Sequence, residues 1–134
     1  MFSALLLVIS TAALAQFALF YLRAVVVGVA AQPVSEEVLA AACVENGSMR
    51  GQDFRALAQL HELTPTLQKG GSGLGVVKLY YHLVHGVGNV ASGRMVHLAN
   101  WAERERVLCA RYAAVQIDRR LQANLAMAAA IRSC

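Results

Sequence analysis

No Asp, Glu, Lys or Arg occurs before Arg23, and between Ala4 and Leu22 the polar side chains, the Tyr21 hydroxyl aside, are Ser10, Thr11 and Gln16. Charge is scarce overall, at 15% of the 134 residues against 57% hydrophobic ones. The mean hydropathy of +0.49 excludes a disordered chain and exceeds that of an ordinary water-soluble domain. Cysteine is sparse as well. Cys43, Cys109 and Cys134 are odd in number, widely spaced and form no Cys-x-x-Cys pair, which excludes an oxidised framework and favours a reducing compartment. Cys134 lacks the Cys-a-a-X context of prenylation.

The missing chemistry is equally informative. No Gly-x-Ser-x-Gly elbow or cysteine-centred signature supplies a nucleophile. Among the eight carboxylates, Glu36-Glu37 reads as a helix start and Glu103/Glu105 as surface. Lys69-Gly70-Gly71-Ser72-Gly73-Leu74-Gly75 has no strand before it and lacks phosphate-loop spacing, so it reads as a connector. The chain is expected not to be an enzyme, to carry no cofactor and to take no small-molecule substrate. Its net charge of +4 raises nucleic acid as a partner, but Arg104, Arg106, Arg111, Arg119 and Arg120 do not form one stripe, and Glu103 and Glu105 dilute their field. No nucleic-acid partner is expected; anionic lipid headgroups suit such a charge without further assumption.

What is present is an apolar run that, at about 1.5 Å per residue, spans roughly 28 Å from Ala4 to Leu22, close to the hydrocarbon thickness of a bilayer. Tyr21 and Arg23 stand where an interfacial anchor belongs, with Arg23 expected to snorkel to the headgroups. The competing reading is a secretory leader cleaved after Ala13-Leu14-Ala15. No Lys or Arg precedes the run, however, and it continues through Phe17-Ala18-Leu19-Phe20. The helix is therefore expected to remain, with Met1, as a single-pass span. Arg23 behind it favours the N-terminus outside and the rest of the chain in the cytoplasm.

The remainder reads as helices without strand-like alternation or repeats. The expected architecture is all-α: residues 1–32 as a transmembrane helix with a juxtamembrane extension, and residues 33–134 as a small helical domain. Ser35 is placed as the N-cap of a helix Glu36–Val44 ending at Asn46-Gly47, a second helix runs Gln52–Leu63, and Thr64-Pro65 stops it or starts a new turn. Two longer helices, Leu74–Val90 and Gly93–Arg132, are joined at Ala91-Ser92-Gly93 and expected to form an antiparallel pair. In the first, Val77, Tyr80, Tyr81, Val84 and Val87 form an apolar stripe, and Lys78, His82, His85 and Asn89 lie opposite. In the second, Val107, Ala110, Ala114, Ile117, Leu121, Leu125 and Ala128 make a packing seam. A shift of that seam to Leu98, Trp101 and Ala102 predicts a bend or a new packing partner near Glu103–Arg106.

Three function classes follow. The favoured one is a non-catalytic accessory subunit of a larger integral-membrane complex, a bioenergetic assembly being one setting. Its contacts with other membrane subunits and with lipid would run through the small residues Ala12 and Ala15 on the first helix and the Lys78/His82/His85/Asn89 face. The alternatives are a membrane-tethered, self-assembling scaffold and a small metal- or haem-binding membrane protein using His82 and His85, with His97 as the third candidate ligand.

Overall fold

The computed structural model describes residues 2–41, 50–64, 73–91 and 95–133. The described residues form five helices and no strand: α1 Phe2–Ala30, α2 Glu36–Ala41, α3 Asp53–Leu63, α4 Leu74–Ala91 and α5 Val96–Ser133. Cys43, Val44, the Asn46-Gly47 stop, the Pro65 restart, residues 69–72 of the glycine connector, the Ser92-Gly93 joint and Cys134 lie outside the described residues.

Local chemistry explains the ends. Glu36 and Glu37 occupy the first turn of α2, where carboxylates suit the positive end of the helix, while the Ser35 hydroxyl donates to Asp118 on α5 at 2.6 Å. Asp53 opens α3 by accepting from the Arg50 amide at 2.7 Å. Thr64 closes α3, its amide and its hydroxyl both donating to the Leu60 carbonyl. The backbone amides of Leu98 and Ala99 turn back to the Met95 carbonyl at the start of α5.

The central element is α5, which every other helix packs against. Its residues Ala102, Ala110, Ala113 and Ala114 are fully buried, and these small side chains let neighbouring backbones approach from several sides. Around them the core gathers Val26 from α1, Val38 from α2, Phe54, Leu57 and Ala58 from α3, and Leu74, Val77, Tyr80, Tyr81 and Val84 from α4. Close approach also dictates two glycines. A Cβ at Gly88 would meet the Ala102 Cβ at 3.2 Å, and one at Gly51 would stand 2.6 Å from the Arg106 Cβ.

Burial departs from the expected stripes in two places. Val87 is 41% exposed rather than part of the buried stripe of α4. The α5 seam holds through Ala110, Ala114 and Ile117, weakens at half-buried Leu121, and ends before Leu125, which is 59% exposed, and Ala128. Nothing packs on the last turns of α5 among the described residues, so the helical period there faces no partner. α5 is uninterrupted through Glu103–Arg106; what changes is burial, with Leu98 and Trp101 exposed and Ala102 buried.

These positions differ in measurable cost. Leu57→Ala should destabilise the fold by about 2–5 kcal/mol, because Leu57 is fully enclosed, whereas Leu125→Ala should stay within about 0.5 kcal/mol. Urea unfolding of the detergent-solubilised variants checks the contrast.

Candidate functional site

α1 has two halves of different character. From Phe2 to Tyr21 every side chain is exposed, a 20-residue apolar rod roughly 30 Å long. The Thr11 Oγ1 is satisfied within the helix, within reach of the Leu7 and Val8 carbonyls at 2.9 and 3.0 Å. From Arg23 onward the same helix enters the core, with Val26 and Ala30 buried. One helix is thus long and apolar enough to cross a membrane, and its base belongs to the folded domain.

The joint between the halves is a polar clasp. Glu105 on α5 is 1% exposed and accepts two hydrogen bonds, from the Arg23 Nε at 2.8 Å and the Tyr80 hydroxyl at 2.9 Å. Three helices therefore meet on one carboxylate. Arg23 does not simply snorkel: its Nε turns inward while the side chain stays 51% exposed. Burial, then the hydrogen bond to Glu105, push the Tyr80 hydroxyl well above the usual phenol range, so it is a fixed donor to the carboxylate. A second buried carboxylate, Asp118, accepts from Ser35 and from the Gln122 amide at 3.1 Å, tying the start of α2 to α5. The sequence reading puts Glu105 on the surface, and the structure buries it. The signal for Glu105 is its place between Ala102 and Cys109, at three- and four-residue steps along a buried face.

The polar stripe of α4 is largely engaged within the chain. Lys78 pairs with Glu62. His85 stacks on Tyr81, with ring centroids 6.0 Å apart, and Tyr81 stacks on Phe54 at 4.2 Å. The His85 ring nitrogens each face a donor, Nδ1 the Arg106 guanidinium and Nε2 the Asn89 Nδ2, both at 3.3 Å, and a neutral ring accepts from only one of the two. His82 and Asn89 are exposed, as is His97 on α5. Among the described residues no group of three or more His, Cys, Asp or Glu is arranged to hold a metal ion. Ala12 and Ala15 both stand exposed on the projecting half of α1.

Two further groups have definite states. Cys109 is fully buried, and burial, aided by Glu105, pushes its thiol up to about 12, leaving it protonated and unreactive. His61 is buried, and its Nε2 has no hydrogen-bond partner among the described residues. Burial and then the Arg120 and Lys78 charges lower its pKa from the ordinary 6.5, opposed by Glu62. Arg106, Arg119 and Arg120 are taken up in intrachain bonds: Arg119 donates to the Gln32 side chain, Arg120 to the His61 carbonyl, and Arg106 pairs with Glu103. No family model, curated protein or solved structure matches the chain.

The clasp sets a cost. Glu105→Ala should destabilise the protein by about 2–3 kcal/mol, below the ~3–5 kcal/mol of a fully buried pair because Arg23 is half solvated; thermal unfolding in detergent measures it. A proton added to His61 on unfolding gives a second test. Since its folded pKa is depressed, stability is full above about pH 6.5 and should be lost as pH falls below it, and His61→Leu should flatten that slope in urea midpoints taken from about pH 8 to about pH 5. Maleimide labelling of the folded protein should leave Cys109 unmodified until denaturant is added.

Proposed function

We propose that the protein is a non-catalytic, single-pass membrane subunit of a larger integral-membrane complex, with its helical domain on the cytoplasmic side. The observation that carries this reading is the fully exposed apolar half of α1, held by its base to a packed domain. Exposing sixteen apolar and aromatic residues among the twenty of Phe2–Tyr21 to water costs free energy in proportion to their area, and a bilayer removes that cost without a further protein fold. A leader cleaved after Ala15 would leave Phe17, Leu19 and Phe20 exposed on a stub that continues into the core, which favours an anchor over a removed leader.

Within lipid, apolar area no longer drives association, and small residues that let helices approach do. Ala12 and Ala15, with Ser10, Thr11 and Ala13, give α1 such a patch for a partner's helix. On α4, His82 and Asn89, exposed along the polar face with Lys78 and His85, offer the second contact. We read α4 and α5 as an antiparallel pair, which presents that face as one stiff surface. The order of contacts supports it: Gly73 approaches the Tyr112 hydroxyl, Tyr80 bonds Glu105, and Gly88 packs on Ala102.

The scaffold reading draws on a separate observation, the exposed Leu125, Met127 and Ile131 on the free end of α5. Purification in mild detergent with mass spectrometry separates the two: other membrane chains in fixed ratio support the subunit, and copies of this chain alone support the scaffold. Ala12→Leu with Ala15→Leu should reduce recovery of partner chains severalfold while the protein still resists carbonate extraction, because bulk is added without polarity. Release by carbonate, or an N-terminus at Gln16, contradicts the anchor.

A further inference from the structure

The sequence pattern of α4 allows one buried and one polar face, but at 100° per residue the helix has three. Val77, Tyr80, Tyr81 and Val84 are buried, Lys78, His82, His85 and Asn89 form the polar face, and Val76, Leu79, Leu83, Val87 and Val90 form an exposed apolar one. The third face widens at its end into an open groove of about 560 Å³, where Leu83, Gly86, Val87 and Val90 meet Met95, just before α5, and Leu98 of α5, with His82 also in the lining. Val90 is 85% exposed, and Trp101, one turn beyond Leu98, is exposed beside it.

The position of this patch identifies what covers it. Arg23 of α1 meets Glu105 of α5, and Gln32 and Ser35, just beyond α1, meet Arg119 and Asp118 more than three turns further along α5, so α1 runs in the same sense as α5. The exposed half of α1 therefore leaves the core at the end where α5 begins. Tyr80 opposite Glu105 and Gly88 opposite Ala102 bring the last turns of α4 to that same end. Counted from the clasp, Val96 lies nine residues back along α5 and Ala91 eleven residues on along α4, or roughly 14 and 17 Å of helix on the side where α1 leaves the core. That reach exceeds the headgroup layer, which is about 5–8 Å deep on each side of a ~30 Å hydrocarbon core. Arg104, exposed at this end, suits anionic headgroups, and an exposed tryptophan suits the interface.

We propose that the α4–α5 end is a second membrane contact, in which Leu83, Val87, Val90, Met95 and Leu98 enter the bilayer beside α1 and Trp101 rests at headgroup depth. The proposal builds on α1 crossing the membrane, and its occupant is lipid, not a partner's helix. It makes the domain bind the bilayer at two points and fixes its tilt.

Trp101 is the only tryptophan in the chain, which makes depth measurable. The full-length protein is reconstituted in vesicles of phosphatidylcholine and phosphatidylglycerol carrying bromine at shallow or deep acyl positions. Three single-tryptophan proteins are compared: the native chain, Trp101→Phe with Val90→Trp, and Trp101→Phe with Leu14→Trp. The proposal expects Val90→Trp to be blue-shifted and to lose most of its emission to shallow bromines, native Trp101 to lose less, and Leu14→Trp to be quenched best by deep ones. Val90→Trp unquenched at every depth while Leu14→Trp is quenched overturns the second contact and leaves the anchor standing. Quenching of Val90→Trp without Leu14→Trp keeps the contact and overturns the crossing helix, and quenching of neither overturns both.

Discussion

A carboxylate taken out of water must find hydrogen-bond donors, and Glu105 finds them on two other helices. That requirement organises the molecule. Arg23 can reach Glu105 only if α1 lies along α5, and Tyr80 can reach it only in one register of α4. The clasp contributes specificity more than raw stability, since two desolvated polar partners gain little over apolar ones of the same shape but reject every other alignment. Fully buried alanines on α5 on either side of Glu105 then permit the close packing that shields it.

The same clasp joins the apolar half of α1 to the domain without a linker. α1 is one unbroken helix from Phe2 to Ala30, so its direction through a bilayer and the orientation of the domain are a single variable. The α4 face is thereby held at a fixed angle to α1. The opposite end of the molecule is different in kind: α5 runs on from Gln122 to Ser133 with its side chains almost all uncovered.

Much of this architecture is legible in the sequence, because the features that show it are local. The uncharged run, the acidic start of α2, the α3 periodicity and the limits of α4 depend on residues a turn or two apart, and they are read within a few residues of their observed bounds. What is not legible depends on several neighbours at once. A seam of three- and four-residue steps describes a helix with one partner, whereas α5 is surrounded, so Glu105 and Asp118 are buried where a one-sided helix would expose them. Val87 has the spacing of the buried stripe and the exposure of the third face. The small residues Ala12 and Ala15 are plain in the sequence, but their value as a contact depends on a chain outside this one.

The central claim is that α1 stands in lipid up to Arg23 and in the protein core from there on. Spin labels placed one at a time from Ala4 to Val27 in the reconstituted protein measure it directly, through collision with oxygen, which partitions into lipid, and with a polar nickel chelate, which stays in water. The account predicts high oxygen and low nickel accessibility from Ala4 to Leu22, then a change at Arg23 to low accessibility to both at Val26. Nickel accessibility sustained along Ala4–Leu22 would contradict it.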